Sequence, residues 1–179
     1  MKKNPYYTHA KYLKSELELL DYSKPVRCLE FGAGHGSSPI FKRFAEENAN
    51  LVVDSYEGDP TWFNKVSREY SLQNYRFHYV PSWDDLFSSY PRLEYNLVFV
   101  DQTPWEARIQ TIDWLRESVK IFILHDYCYY NKGVIDDINS VGPGSFFYDK
   151  YAGDFVLDAK TDLYPPTLIL RNNDYSTDS

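Results

Sequence analysis

Short apolar runs alternate with segments of helical periodicity along most of this chain, and that alternation restricts the fold more than any other feature. The runs NLVFV at 96–100 and KIFIL at 120–124 are almost continuously apolar, as is typical of strands covered by helices on both faces. The pattern predicts an α/β fold with a mainly parallel sheet in a single domain spanning 1–179. Strands are expected at 26–31, 51–56, 76–80, 96–100, 120–124, 145–148, 155–158 and 167–170.

The last three predicted strands differ from the others because no long helical segment separates them. A parallel neighbour would need a crossover of about a dozen residues or more, so these strands are expected to be antiparallel. One pair is expected to form a hairpin around Tyr151, Ala152 and Gly153. We also expect a helical segment within 1–25 and a frayed polar tail over 172–179.

Helix start signals follow several of the predicted strands within a few residues. Three of them place a serine, threonine or aspartate before a proline, which gives an N-cap followed by a residue preferred in the first helical turn. Glu106 adds a capping box to the last of the three. The starts are Ser38-Pro39, Asp59-Pro60 and Thr103-Pro104, with Ser82-Trp83 as a fourth that lacks the proline. Because such turns lie at the carboxyl ends of parallel strands, their residues are candidates for binding a ligand.

The turn after the first predicted strand reads LEFGAGHGSSP and holds glycines at alternate positions. The nicotinamide dinucleotide fingerprint G-x-G-x-x-G, read from Gly32, fails because its last position is Ser37. The phosphate-binding loop G-x-x-x-x-G-K-[ST] is absent as well. Glycine permits positive φ and close approach of a ligand, and the next helix directs its free N–H groups toward the turn. A turn of this kind can also join a strand to a helix with no ligand present.

The turn and its preceding strand resemble the first motif of the class I S-adenosylmethionine-dependent methyltransferases, an acid followed by G-x-G. The resemblance runs from about 26 to 127 and implies a Rossmann-like sandwich with a seven-stranded, mostly parallel sheet and antiparallel C-terminal strands. It also implies S-adenosylmethionine as the cofactor. In the family the glycine turn contacts the aminoacyl part of the cofactor, and the acid helps to place its ammonium group. The matching residues are Glu30, Gly32, Ala33, Gly34, Gly36 and Ser37.

The second predicted strand ends with two acids, and the family places there an acid that binds both ribose hydroxyls. Asp59 fits the N-cap of the next helix, so Glu57 is the expected ribose ligand, and Gly58 gives space beside it. The third predicted strand should reach the adenine. The candidates for contacting the base are Ser82, Trp83 and Asp84.

Asp101 ends the fourth predicted strand, and His125 and Asp126 end the fifth. The resemblance places these residues beside the sulfonium and the acceptor, where several O-methyltransferase branches carry a histidine followed by an acid. His125 is the expected general base because the ordinary pKa of histidine lies near neutrality. Asp101 and Asp126 are expected to orient it or to stabilise its charge. A hydrogen-bonded structural histidine is the alternative.

Asp101 and Asp126 could also hold one divalent ion, as acids after these two strands do in catechol-type methyltransferases. Those enzymes carry an asparagine at the next position, where this chain has Tyr127. The sequence therefore predicts no metal. The remaining histidines show no metal-ligand spacing; they are His9, His35 and His78.

The net charge of −7 argues against a nucleic-acid partner, because phosphate binding requires a surplus of basic residues. The amine-methylating signature [DN]-P-P-[YFW] is absent as well. No long apolar run and no signal peptide are found, so no membrane contact is expected. The chain has two cysteines and no disulfide framework, which favours a cytoplasmic location. The oligomeric state stays open.

Together these features predict methyl transfer from S-adenosylmethionine to a hydroxyl of a sugar or another small molecule, with His125 as general base. Aromatic walls of the acceptor pocket are expected from Tyr6, Tyr7, Tyr12 and the segment 127–130. One alternative is a non-catalytic protein of this fold that binds the cofactor or assembles with a partner. Another is a nicotinamide oxidoreductase, against which the failed fingerprint argues.

Overall fold

The computed structural model describes residues 7–89, 93–127 and 146–173. Its helices are α1 (Ala10–Glu18), α2 (Ser38–Glu47), α3 (Pro60–Tyr70), α4 (Trp83–Ser89), α5 (Trp105–Leu115) and α6 (Phe146–Tyr151). Its strands are β1 (Val26–Phe31), β2 (Leu51–Glu57), β3 (Tyr75–Tyr79), β4 (Tyr95–Val100), β5 (Val119–His125), β6 (Phe155–Lys160) and β7 (Thr167–Asn172).

The strands form one seven-stranded sheet in the order β3-β2-β1-β4-β5-β7-β6. β1 to β5 are parallel, whereas β7 runs antiparallel to both β5 and β6. This arrangement confirms the predicted mostly parallel sheet with antiparallel C-terminal strands. The winding direction reverses between β1 and β4, and open α/β sheets bind ligands at the carboxyl ends of the strands at such a switch point.

Each face of the sheet carries its own hydrophobic core. Along β4, Val98 and Val100 face a core completed by α4, α5 and α6, while Leu97 and Phe99 face one completed by α1, α2 and α3. The alternation follows from the two-residue period of a strand. Burying each of these side chains contributes about 1.5–3 kcal/mol, which explains why the parallel strands read as continuous apolar runs.

The strand predicted at 145–148 is wrong, because Phe146–Tyr151 is the helix α6. Phe147 and Tyr151, spaced four apart, are both buried against the sheet, whereas Phe146 is exposed. Aromatic residues favour strands locally, and packing overrides that preference here. The predicted hairpin around residue 151 is also wrong, because the hairpin joins β6 to β7 instead.

The predicted tail begins too early. Asn172 lies in β7, is buried, and donates from Nδ2 to the carbonyl of Arg116 at 2.9 Å. Residues 174–179 of the predicted tail lie outside the described residues. At the other end, α1 lies within the predicted helical segment.

The helix starts are only partly as predicted. Asp59 caps α3 by accepting from the amide of Trp62 at 2.7 Å, and the amide of Asp85 donates to the hydroxyl of Ser82 at 3.3 Å. The capping box expected at Thr103 and Glu106 is wrong, because the N-cap of α5 is Pro104, which has no side-chain donor or acceptor.

Candidate functional site

The turn from β1 to α2 is built around a glycine that no other residue could replace without strain. Gly32 has φ of +84°, and a Cβ at this position would lie 2.6 Å from the carbonyl carbon of Asp101. The amide of Asp101 donates to the carbonyl of Phe31 at 2.8 Å, which holds the two strand ends together. At Gly34, by contrast, an added Cβ would meet nothing within 4 Å. The turn is therefore packed on one side and open on the other.

Glu30 lies beneath the turn and is fully buried. Its carboxylate accepts hydrogen bonds from the hydroxyls of Ser37 at 2.6 Å, Ser38 at 2.9 Å, Ser55 at 2.6 Å and Tyr75 at 2.5 Å. Burial raises the pKa of Glu30, and these hydrogen bonds oppose the rise. With both oxygens engaged inside the protein, Glu30 fixes the shape of the turn and does not line the cavity above it.

A cavity of about 400 Å³ opens above the turn, at the carboxyl ends of β1, β2 and β4. This volume lies in the range of small-molecule sites. Most of the expected cofactor residues lie in its wall. The lining residues are Tyr7, His9, Gly32, Ala33, Gly34, His35, Gly36, Ser37, Glu57, Trp62, Asp101, Gln102 and Thr103.

Glu57 lies across the cavity from the glycine turn. Its Oε1 accepts from the amide of Asp59 at 2.7 Å, and burial raises its pKa. Asp59 itself is engaged as the N-cap of α3, as the sequence predicts. Trp62 closes this side of the cavity, since its Nε1 donates to the carbonyl of Ala33 at 2.6 Å. Glu57 is thus the acid of the pair that faces the cavity.

The residues expected at the adenine do not line the cavity. Trp83 packs beside Gly58 and Phe31, and its Nε1 donates to the carbonyl of Thr103 at 2.8 Å. Ser82 caps the first turn of α4. Gly58 gives room for the indole of Trp83, whose nearest atom would lie 3.5 Å from an added Cβ.

Asp101 lies at the centre of a charged cluster beside the cavity. Its Oδ1 lies 3.1 Å from an Arg108 guanidinium nitrogen and 3.2 Å from Nδ1 of His125. Burial opposes ionisation, but the contacts with His125 and Arg108 prevail and lower the pKa of Asp101. Arg108 is buried and also donates to the carbonyls of Gln102 and His125. The cluster therefore presents an ionised carboxylate to the cavity.

His125 lies behind Asp101 and not in the cavity wall. It is 3% exposed, and its Nε2 lies 3.0 Å from the hydroxyl of Thr8. Its ring faces Thr8 on one side and Asp101 on the other, and it is not among the residues that line the cavity. Its role as general base stays a prediction.

Asp126 adopts a left-handed conformation, with φ of +64°, directly after β5. Its amide donates to the carbonyl of Pro166 at 2.9 Å, and burial raises its pKa to about 6. It does not line the cavity either. The charges of His125, Arg108 and Asp101 also act on its pKa, so it lies close to the charged cluster although it is not part of the cavity wall.

His9 is one of the cavity residues that the sequence reasoning missed, together with Trp62 and Gln102. It immediately precedes α1, is 2% exposed, and packs with its ring centre 4.7 Å from that of Phe99 and 4.4 Å from that of His125. Burial, followed by the proximity of His125, lowers its pKa to about 3, so the ring is neutral. No spacing rule joins this position to β4 or β5, and the sequence alone carries no signal for it.

The expected aromatic wall is only partly present. Tyr7 lines the cavity, whereas the hydroxyl of Tyr12 binds Asp162 and Tyr127 is buried in the core. Tyr6 and the segment 128–130 lie outside the described residues.

Solved structures show what this arrangement is similar to. A protein from Klebsiella pneumoniae described as an O-methyltransferase has a TM-score of 0.67 and 16% identity, over 97% of this chain and 83% of its own. This is the fold of the class I methyltransferases. Human methyltransferase-like protein 13, solved in complex with SAH, has a TM-score of 0.60 and 17% identity over 94% of this chain and 82% of its own.

An rRNA methylase from Streptococcus thermophilus is also similar, with a TM-score of 0.59 and 12% identity over 96% of this chain and 98% of its own. No family model and no curated protein matches the sequence. Among the described residues, no helix combines the length and the apolar character needed to cross a membrane.

Proposed function

We propose that this protein is an S-adenosylmethionine-dependent methyltransferase acting on a hydroxyl group. The observation that carries the proposal is the cavity of about 400 Å³ between the open side of the glycine turn and Glu57. The likeness to class I methyltransferases, two of them solved with SAH, supports the choice of cofactor.

The methionine part of the cofactor would lie against the turn at 32–37. There the N-terminal amides of α2 and the helix dipole favour a carboxylate. The ribose hydroxyls would donate to the carboxylate of Glu57. The methyl group would then point toward Asp101, on the neighbouring strand β4.

The acceptor would be a small molecule or a carbohydrate that enters beside Asp101. Asp101 would accept a hydrogen bond from the acceptor hydroxyl, and then its proton, as the new O–C bond forms and the C–S bond breaks to leave S-adenosylhomocysteine. The oxygen becomes strongly acidic as it gains the methyl group, so a carboxylate with a lowered pKa suffices. His125 and Arg108 would position Asp101, and most of the rate would come from aligning oxygen, methyl carbon and sulfur.

The O-methyltransferase descriptions of two structural neighbours support an oxygen acceptor, and the net charge of −7 disfavours RNA. Neighbours also include an rRNA methylase, so a methyl-transfer assay should contain RNA beside sugars and phenols. Methylation of RNA in place of the small molecules would overturn the acceptor class while leaving the cofactor proposal intact.

Calorimetric titration with S-adenosylhomocysteine tests the cofactor. We expect the wild type to bind one equivalent, and Glu57→Ala to bind at least about tenfold more weakly, since each lost hydrogen bond to a charged group is worth roughly 1.5–3 kcal/mol. Glu46→Ala, which removes an exposed carboxylate from the far side of α2, is the matched control and should bind as the wild type does. The absence of binding in the wild type would contradict the proposal.

A further inference from the structure

Three side chains that can accept a hydrogen bond or bind a metal converge where β4, β5 and the segment before α1 meet. One potential ligand atom from each of His9, Asp101 and His125 lies within 4.8 Å of the other two. His9 and His125 are buried, and Asp101 lines the cavity together with His9. His9, from the segment before α1, thus lies beside residues at the ends of β4 and β5.

The hydroxyl of Thr8 determines which nitrogen of His125 carries the proton. Thr8 donates its hydroxyl hydrogen to the carbonyl of Pro165 at 2.8 Å. It therefore accepts from Nε2 of His125, at 3.0 Å. In the neutral ring the lone pair then lies on Nδ1, which is 3.2 Å from the carboxylate oxygen Oδ1 of Asp101. Two acceptors facing each other at this distance can be joined by a proton or by a metal cation, and a proton there gives the hydrogen bond that lowers the pKa of Asp101.

A second proton on His125 would satisfy that pair, but it would leave His9 unexplained. No hydrogen bond of good geometry reaches either ring nitrogen of His9 from the described residues, although the backbone of Gly36 lies close enough to favour its charged form. An unpartnered buried polar group costs about 1–3 kcal/mol, and a neutral imidazole always keeps one lone pair available as an acceptor or ligand. A cation shared by the three side chains would bind one nitrogen of His9, one nitrogen of His125 and one carboxylate oxygen of Asp101 at once.

We infer that His9, Asp101 and His125 form a binding site for a divalent transition-metal ion at the inner end of the cavity. Two imidazoles and one carboxylate suit ions such as Zn²⁺, Co²⁺ or Fe²⁺, whereas Mg²⁺ prefers oxygen ligands and water. Thr8 supplies the outer hydrogen bond that orients a metal-binding histidine. The cavity supplies the open side for further ligands.

This site differs from the one weighed from the sequence, which would have used Asp101 and Asp126. Here His9 and His125 join Asp101, and Asp126 lies outside the set. Arg108 approaches Oδ1 of Asp101 to 3.1 Å and opposes a cation there. We therefore expect binding weaker than at a comparable site without a neighbouring guanidinium.

Titration of the EDTA-treated, full-length protein with Co²⁺ tests the site, because bound Co²⁺ is followed both by its visible absorption and by calorimetry. We expect one equivalent to bind, Zn²⁺ to displace it, and Mg²⁺ to leave it in place. His9→Phe keeps the shape of the ring against Phe99 but removes both nitrogens, and it should weaken binding by at least about tenfold. Circular dichroism of the variant checks that it is folded.

His78→Phe is the matched control, because His78 lies on β3 and pairs with Asp54 far from the cluster. It should bind Co²⁺ as the wild type does. Failure of the wild type to bind Co²⁺ would overturn the site. Binding that survives in folded His9→Phe, or that is lost in His78→Phe, would overturn it as well. None of these measurements requires the cofactor or activity, so the outcome is independent of the proposed methyl transfer.

Discussion

At the residue scale, two glycines of the turn have different roles. Gly32 is required by the backbone conformation, whereas Gly34 faces the cavity. Gly32→Ala should lower the free energy of unfolding by about 2–5 kcal/mol. The left-handed conformation costs about 1–2 kcal/mol, and the contact with Asp101 adds an overpacking cost of about 1–3 kcal/mol. Gly34→Ala, with nothing within 4 Å, should cost less than about 1 kcal/mol. Urea unfolding measures both, and equal losses would contradict this division of roles.

Glu30 gives a prediction for pH at the same scale. Its pKa is raised by burial, so the folded protein binds its proton more readily than the unfolded chain does. The stability that Glu30 contributes should therefore be largest below about pH 4.5 and should decline as the pH rises above that value. The urea midpoint of Glu30→Gln should lack this decline, whereas that of the exposed Glu46→Gln should retain it. Parallel pH profiles for wild type and Glu30→Gln would contradict the prediction.

At the element scale, α1 is important because it holds the segment that carries Thr8 and His9 into the site. Leu17 on α1 is fully buried, whereas Leu19, the C-cap residue of the same helix, is 75% exposed. Leu17→Ala should cost about 2–5 kcal/mol in unfolding free energy, and Leu19→Ala should change it by less than about 0.5 kcal/mol. A small effect of Leu17→Ala would show that α1 is not packed as described.

The strands and the turn were predictable because their signals are local. The β1 bounds are as predicted, and the bounds of β2 to β5 differ from the prediction by one residue at some ends, since continuous apolar runs mark buried parallel strands. α6 was missed because aromatic residues favour strands locally and only packing shows that Phe147 and Tyr151 share a helix face. The position of Trp83 was missed because its partner Thr103 is 20 residues away.

At the scale of the whole molecule, the topology positions the site and the long-range contacts complete it. The reversal of winding between β1 and β4 brings the glycine turn, Glu57 and Asp101 to one cavity, as the sequence suggested. The contact of Thr8 with His125 spans 117 residues and could not be read from spacing. With that contact formed, His125 lies next to Asp101 but does not line the cavity, whereas His9 does.

The most direct measurement of the central claim is a crystal structure of the protein soaked with S-adenosylhomocysteine. We expect the amino-acid part to lie against the turn at 32–37, both ribose hydroxyls to donate to the carboxylate of Glu57, and the sulfur to face Asp101. Binding of the ligand elsewhere on the surface, or a cavity that stays closed to it at saturating concentration, would contradict the account.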